Sequence, residues 1–260
     1  MVPNMTINVA QRIASRSPLH SRHSLSISVA STPEEITQCL RLRYEIFTGE
    51  MGAKLDTLMP GLDCDRYDEF ARHLVIRDME SEKIVGTTRL ISVEAARQAG
   101  SYYSESEFDL SAVLALNANL LEVGRTCIAE SHRNGAVLSL LWKGIARITE
   151  MENIDYLIGC ASIPLSETPD YAHAIMNMLR ENHTSDITAT VTPRHPLPIR
   201  SHEEVKDVIL PTLLKGYIRL GSKVSAEACY DPDFNVADVF ILLDRDNIEK
   251  RYSRHFLERA

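Results

Sequence analysis

Apolar and polar residues alternate over residues 25–30 (LSISVA), which is typical of a strand with one buried face. The next five residues, STPEE, combine a capping threonine, a proline and two acids, so we predict a helix from residue 33 to about residue 49. Residues 51–67 contain two glycines and a proline and predict a loop. Two largely apolar segments separated by a polar turn then predict an antiparallel hairpin, residues 73–77 and 84–93.

The middle of the chain contains its most apolar segments. After a long, mostly polar connection over residues 94–117, residues 120–128 (LLEVGRTCI) predict a strand. Residues 135–151 predict a helix, because their apolar residues recur at spacings of three and four. Residues 156–163 (YLIGCASI) form a continuous apolar run, as expected for a strand covered on both faces.

The same alternation continues to the C-terminus. We predict helices at residues 168–181 and 203–220, separated by a loop at residues 192–202. Strands at residues 225–230 and 238–243 and a charged terminal helix follow. Strands that alternate with helices in this order predict the α/β class, a mixed sheet with helices on its faces. We place this single domain at residues 25–260.

Residues 1–24 predict a flexible basic arm. The first 33 residues contain no Asp or Glu, and they include Arg12, Arg16 and Arg22. They have no apolar core of signal-peptide length. Two interpretations remain open, a partly disordered tail and an arm that contacts an anionic membrane or an acidic partner.

Charge and cysteine content exclude several classes of function. A net charge of −8 argues against nucleic acid as a partner, because phosphates require a basic surface. The five cysteines form no CxxC pair, which favours reduced thiols in a cytoplasmic protein and argues against zinc; we predict no metal. No apolar stretch approaches the roughly 20 residues that span a bilayer.

The strongest chemical signal lies in residues 120–128. Glu122 and Arg125 are costly in an apolar strand unless they are paired or used. Gly124 between them is a residue expected at a bulge, which would bring the two charges closer to one face. The alternative is an edge strand with both charges solvated. After the strand, Arg133 and Gly135 begin a helix whose free N–H groups suit a phosphate.

Three further segments carry candidate residues. Arg43 and Phe47 are four apart and share a helix face, although an exposed arginine over a core phenylalanine is the simpler interpretation. Asp65 and Asp68 lie in an acidic loop that is either solvated or holds a cationic amine. Arg89 lies inside a predicted strand, where a structural ion pair with Asp65 or Asp68 is at least as plausible as substrate contact.

Several segments together resemble one protein family. They are RLRYEIF followed by GEMGA, the acids at 65 and 68, GTTRL, YSE at 103–105 with EFDL at 107–110, LEVGRTC, LLWKGIAR, GCAS, LLKGYIRLG and DPDFNVADVFILL. The chain is similar to the branch of the GNAT superfamily that uses acyl carrier protein: autoinducer synthases, long-chain N-acyl amino acid synthases and, most of all, L-ornithine N-acyltransferases. The resemblance implies a GNAT-like acyl-CoA N-acyltransferase fold.

The resemblance also implies roles for individual residues. Glu122, Gly124 and Arg125 match the catalytic strand, and five residues match the substrate-binding signature: Arg43, Phe47, Asp65, Asp68 and Arg89. Contact with the carrier protein or its phosphopantetheine is implied for Arg133, Gly135, Ala136, Lys143 and Arg147. The family's second aromatic is Ala53 here and the serine before its strand arginine is Gly124, which argues against lactone formation.

The function implied is transfer of a (3-hydroxy)fatty acyl group from acyl carrier protein to the α-amine of L-ornithine, which forms lyso-ornithine lipid. The donor is a co-substrate, and no tightly bound cofactor is expected. The enzyme would be cytoplasmic, with peripheral contact at the inner face of the membrane. Two alternatives remain open, an N-acyl amino acid synthase that uses glycine or tyrosine and a non-catalytic module that binds acyl carrier or lipid.

Overall fold

The computed structural model describes residues 24–165, 169–198, 205 and 208–246. Its strands are β1 Leu25–Val29, β2 Arg72–Asp78, β3 Ile84–Ser92, β4 Phe108–Asp109, β5 Leu120–Ile128, β6 Tyr156–Pro164, β7 Thr192–Pro193, β8 Lys223–Val224, β9 Cys229–Asp231 and β10 Val236–Asp244. Its α-helices are α1 Pro33–Tyr44, α2 Val93–Ala99, α3 Ser111–Leu114, α4 Ala136–Met151, α5 Pro169–His183 and α6 Thr212–Leu220.

One mixed sheet organises these elements. Its strands follow the order β1-β2-β3-β5-β6-β10-β8, with β9 also paired to β10, while β4 and β7 form a separate small pair. Within the described residues, the central β5–β6 pair is parallel and the other pairs are antiparallel. The predicted α/β class with a mixed sheet is therefore confirmed.

Apolar side chains cover both faces of this sheet. Helix α4 packs Val137, Leu141 and Ile145 on a core that includes Leu74 and Leu121. On another core, Phe108 and Leu110 of the connection between α2 and α3 join Leu120, Ile158 and Phe240 of the central strands. Helices α5 and α6 pack on the half of the sheet formed by β6, β8 and β10.

The two central strands separate halfway along their length. Pairing between β5 and β6 runs from Leu120 opposite Tyr156 to Glu122 opposite Ile158, whereas β6 pairs with β10 along its whole length. Gly159 lies at the point of separation. A Cβ atom at Gly159 would lie 2.4 Å from the carbonyl oxygen of Val123, which is closer than real Cβ atoms approach backbone. The absent side chain thus lets the two backbones approach before they diverge.

The first predicted helix is confirmed and has an unusual end. Thr32 caps the helix, as the sequence STPEE allows, and the structure adds that Glu35 completes a capping box. The α-helix ends at Tyr44 and continues as a π-helical turn, Glu45–Glu50. This wider turn contains buried Phe47, and π-helical turns occur frequently at functional sites.

Three predictions from sequence need correction. Residues 94–117 are not a mostly polar connection, because α2, β4 and α3 lie there and bury Phe108, Leu110 and Val113. Residues 225–230 are not one strand, because β8 ends at Val224 and β9 begins at Cys229. Helix α6 begins only at Thr212, after Pro211. The predicted terminal helix and basic arm fall almost wholly in residues 247–260 and 1–23, outside the described residues.

Among the described residues, none of the helices is both long enough and apolar enough to cross a bilayer.

We predict that Gly159→Ala destabilises the fold at the point where the central strands separate. The added methyl meets backbone that cannot rotate away, so we expect a loss of about 1–3 kcal/mol in the free energy of unfolding. Urea denaturation would measure this loss. The matched control is Gly216→Ala inside α6, where nothing lies within 4 Å of the added Cβ and alanine should stabilise by about 0.5–1 kcal/mol. Equal stability of the two variants would contradict the prediction.

Candidate active site

A cleft of about 230 Å³ opens where β5 and β6 diverge. Its floor contains residues 122–126 of β5 and Cys160 and Ser162 of β6. The remaining lining residues come from six neighbouring segments: Phe47, Met51, Arg89, Ile91, Tyr103, Leu213, Tyr217, Asp231, Phe234 and Asp238. The cleft therefore combines apolar side chains with both positive and negative groups, as sites for small polar molecules commonly do.

The bulge predicted near Gly124 is confirmed. Thr87 pairs with Cys127 but Arg89 pairs with Gly124, so β5 carries one residue more than β3 over this interval. Arg125 adopts φ 49°, in the left-handed region that non-glycine residues rarely occupy. Such strain costs about 1–2 kcal/mol and tends to persist where the conformation serves a function. The bulge allows both Glu122 and Arg125 to line the cleft.

A buried ion-pair network lies behind the cleft. The Nε of Arg43 donates to Asp63 at 2.7 Å, and its two Nη atoms donate to Asp68 at 2.7 and 3.1 Å. Arg89 donates to Asp65 at 2.6 Å and lies 3.3 Å from Asp68. Burial alone would raise the pKa of Asp68, but the charges of Arg43 and Arg89 hold that pKa below its usual range. The possible structural ion pair of Arg89 is thus confirmed.

Arg125 links this network to the cleft. Its guanidinium lies 3.4 Å from Asp63 and 3.6 Å from Asp65. The same group stacks between two aromatic rings, with its central carbon 4.8 Å from the ring centre of Tyr103 and 5.1 Å from that of Phe234. Ion pairing and stacking therefore fix the direction of this planar cation.

Glu122 holds the segment that follows α2. Its carboxylate accepts hydrogen bonds from the backbone N–H groups of Tyr103 and Ser104, each at 2.7 Å, and from the Ser104 hydroxyl. Burial raises the pKa of Glu122, against the effect of these hydrogen bonds. The side chain does not pair with Arg125. It positions Tyr103, and its carboxylate remains in the wall of the cleft.

The beginning of α4 lies outside the cleft lining. Gly135 adopts φ 86°, and the side chain of Asn134 accepts the backbone N–H of Ala136 at 3.0 Å. Arg133 is exposed and pairs with Glu50 at 2.6 Å. Lys143 and Arg147, four residues apart, are exposed on α4.

The structure thus divides the predicted site residues into three groups. Those that line the cleft are Phe47, Arg89, Glu122, Gly124 and Arg125. Those that lie behind it in the ion-pair network are Arg43, Asp65 and Asp68, with the carboxylates directed at arginines. Those on or before α4 are Arg133, Gly135, Ala136, Lys143 and Arg147. That Asp65 and Asp68 hold a substrate amine themselves stays a prediction.

Sequence reasoning missed a second acidic group in the cleft. Glu107, Asp231 and Asp238 each place one carboxylate oxygen within 4.8 Å of the other two. Asp238 lies on β10 inside the apolar run VADVFILL, the same signal that drew attention to Glu122. Tyr103, which stacks on Arg125, was missed too, because its position depends on hydrogen bonds to Glu122 across 19 residues.

Comparison with known proteins places this fold in a class. A family model described as an acetyltransferase (GNAT) domain matches residues 42–143. The solved structure of FeeM, an N-acyl amino acid synthase from uncultured soil microbes, has the same fold at a TM-score of 0.53 and 12% sequence identity. That match covers 87% of this chain and 95% of FeeM. The chain therefore has a GNAT-type fold.

Curated relatives define the family more narrowly. An L-ornithine N(alpha)-acyltransferase of Brucella abortus is 31% identical over 251 residues, which cover 90% of this chain and 89% of the relative. The enzyme of that name from Agrobacterium fabrum is also 31% identical, over 90% of this chain and 85% of its own length. This chain belongs to the L-ornithine N(alpha)-acyltransferase family, and the predicted membership is confirmed.

We predict that Arg43→Met destabilises the protein by about 3–5 kcal/mol, because it leaves the buried carboxylates of Asp63 and Asp68 without their main partner. Chemical denaturation would measure the change. Arg97→Met is the matched control, since its pair with Glu94 is solvent-exposed and worth at most about 1 kcal/mol. A comparable loss of unfolding free energy in both variants would show that the buried ion pairs stabilise the protein no more than the exposed pair does.

Proposed function

We propose that this protein transfers a (3-hydroxy)fatty acyl group from acyl carrier protein to the α-amine of L-ornithine and so forms lyso-ornithine lipid. The observation that carries the proposal is the cleft between the diverging strands β5 and β6, lined by Arg89, Glu122 and Arg125 in a chain of this family. The proposal extends to this chain the acceptor that its curated relatives are named for.

In this proposal the acyl donor binds along the part of β5 that does not pair with β6. Beyond Glu122 and Ile158 the two strands no longer pair, so a thioester can lie between them. Backbone N–H groups near the Gly124 bulge would polarise its carbonyl as charge develops on the oxygen. Leu213 and Tyr217 of α6 supply an apolar wall for the acyl chain.

The acceptor is held through its carboxylate. Arg89 and Arg125 both line the cleft and both are backed by aspartates, so their guanidinium groups are fixed before a substrate arrives. Arg43, Asp65 and Asp68 act through these two arginines. A carboxylate beside two oriented guanidinium groups gains charge-assisted hydrogen bonds.

Glu122 is the proposed general base. Only the neutral amine attacks a thioester, and a carboxylate whose pKa is raised by burial accepts a proton more readily near neutral pH. Transfer occurs directly to the amine, and the proton leaves through Glu122 or through a water that it orients. The thiol of the carrier arm is the leaving group.

The deciding experiment is a thiol-release assay with purified protein, acyl carrier protein or coenzyme A thioesters, and a panel of amino acids. We expect turnover with acyl carrier protein and ornithine, and a lyso-ornithine lipid in the mass spectrum. A product with glycine or tyrosine instead would make the protein an N-acyl amino acid synthase of another specificity. Binding of acyl carrier protein without thiol release would make it a non-catalytic module.

We predict that Glu122→Gln lowers kcat by about 10²-fold or more. The carboxamide also presents N–H where the carboxylate accepted backbone N–H groups of Tyr103 and Ser104, so lost positioning alone would reduce activity. Ser104→Ala separates the two roles. It removes a hydroxyl donor that lowers the pKa of Glu122, so the acid limb of the pH–rate profile should move to higher pH. If the acid limb of the pH–rate profile lies at the same pH in Ser104→Ala as in the unaltered protein, Glu122 is not the general base.

We further propose that α4 contacts the acidic carrier protein. Lys143→Glu and Arg147→Glu should raise KM for acyl carrier protein several-fold without changing KM for the amino acid, because the effect is electrostatic and confined to docking. Arg133→Glu should act similarly, although it also breaks the pair with Glu50. Lys83→Glu, in the exposed turn before β3, is the matched charge reversal. If Lys83→Glu raises KM as much as the α4 variants, the docking surface is not on α4.

The cellular location follows from the product. A lyso-ornithine lipid is an amphiphile, so we propose a cytoplasmic enzyme that contacts the inner face of the membrane peripherally.

A further inference from the structure

A group of three carboxylates in the cleft has no role in the chemistry described above. Glu107 follows the 3₁₀ turn Tyr103–Ser106, Asp231 ends β9, and Asp238 lies on β10. One oxygen of each lies within 4.8 Å of the others. Asp231 and Asp238 line the main cleft, while Glu107 and Asp231 line an adjoining cleft that shares Tyr103 with it.

Two of these acids, Glu107 and Asp238, are buried, and Asp231 is partly buried. Glu107 is only 7% exposed and Asp238 only 5%. Neither carboxylate oxygen of Glu107 makes a hydrogen bond of normal length and angle within the described part of the chain. In that same part, no Lys, Arg or His forms an ion pair with any of the three. Buried carboxylates are normally paired, so a partner from outside the chain is indicated.

The contrast with the neighbouring aspartates is informative. Asp63, Asp65 and Asp68 are neutralised by arginines of the same chain. The second group lies on the other side of Tyr103, whose hydroxyl is 3.5 Å from Arg125. Tyr103 thus lies beside a fixed positive group on one hand and, on the other, beside carboxyl groups that form no ion pair with a cation of the described residues.

We propose that Glu107, Asp231 and Asp238 bind the side-chain ammonium of a diamino acid acceptor and thereby select ornithine-type acceptors over amino acids with apolar side chains. This inference rests on the proposed function. A primary ammonium has three N–H donors, and the group offers three acceptor oxygens. With the acceptor carboxylate at Arg89 and Arg125, the α-amine would lie between the two charged groups, on the Glu122 side of the cleft.

The free oxygens favour an ammonium over a metal ion. One oxygen of Asp238 already accepts the Ser162 hydroxyl at 2.6 Å. One oxygen of Asp231 already accepts the backbone N–H groups of Asp233 and Phe234 at 2.8 and 3.1 Å. A calcium ion bound here would need waters to complete its six to eight oxygen ligands, whereas an ammonium needs only three acceptors.

The pKa values of Glu107 and Asp238 are shifted in the direction expected for buried carboxyl groups that lie close together. Burial, with the charge of Asp231, raises the pKa of Asp238 to about 6. Burial and the charge of Asp238 raise the pKa of Glu107 above its usual range. Raised pKa values mean that ionisation opposes folding as pH rises through them. Neutralising Asp238 should therefore leave Tm unchanged or raise it at pH 7.5, whereas a residue with a purely structural role would lower Tm on substitution.

The test compares ornithine with 2-aminopentanoate, which has the same carbon chain without the terminal ammonium. In the thiol-release assay we expect Asp238→Asn and Glu107→Gln to raise KM for ornithine about tenfold or more and to leave KM for 2-aminopentanoate unchanged. The exposed Asp186→Asn is the matched control and should change neither value. An equal loss with both acceptors, or an unchanged KM for ornithine, would overturn the inference.

A binding measurement keeps the inference separate from the proposed function. Ornithine should raise the Tm of the full-length protein more than 2-aminopentanoate does, and Asp238→Asn should abolish that difference, whether or not acyl transfer occurs. No turnover with any donor, together with this pattern of binding, would reject the proposed function but retain the ammonium site. Calcium or magnesium chloride that raises Tm through Asp238, with no effect of ornithine, would identify a metal site and overturn the inference.

Discussion

The buried guanidinium of Arg43 is the interaction on which the rest of the site depends. It joins α1 to the acidic loop through Asp63 and Asp68, and Asp68 in turn lies 3.3 Å from Arg89 on β3. Asp63 and Asp65 then hold Arg125 at the edge of the cleft. Because each buried charge is costly unless its partners are in place, the network has one favourable arrangement. That arrangement fixes the direction of Arg89 and Arg125, the two arginines that line the cleft.

A backbone constraint accompanies this electrostatic one. Gly159 brings β6 against the carbonyl of Val123, and past that contact the strands diverge. The bulge in β5 places Arg125 in a left-handed conformation next to the opening. The ion pairs of Arg125 and its stacking on Tyr103 and Phe234 offset the strain of that conformation. Cleft and charge network therefore stabilise each other, and neither can be altered alone without affecting the position of Arg125.

Local patterns in the sequence predicted much of this structure. The helix cap at Thr32, the apolar strands and the bulge at Gly124 all depend on neighbouring residues, and the structure confirms them. In residues 94–117 the apolar residues are interrupted by polar ones and follow no long period, and Phe108 and Leu110 become core only by packing on Leu120 and Phe240. The roles of Asp63 and Asp68 likewise arise from partners 20 and 25 residues away. Such pairings come from the topology, which a single sequence does not reveal.

Ionisation has opposite effects on the stability of the fold in the two acidic groups of this chain. The native state holds the pKa of the Asp68 carboxyl below its usual range, so ionisation of Asp68 stabilises the fold. It holds the pKa values of Glu107 and Asp238 above their usual range, so ionisation of these two groups opposes folding. A protein retains such an unfavourable group where a ligand supplies the missing charge, since binding then recovers the free energy that folding gave up. Asp231 and Asp238 line the same cleft as Glu122 and Arg125, and this position connects the proposed ammonium site with the acceptor rather than with the stability of the sheet.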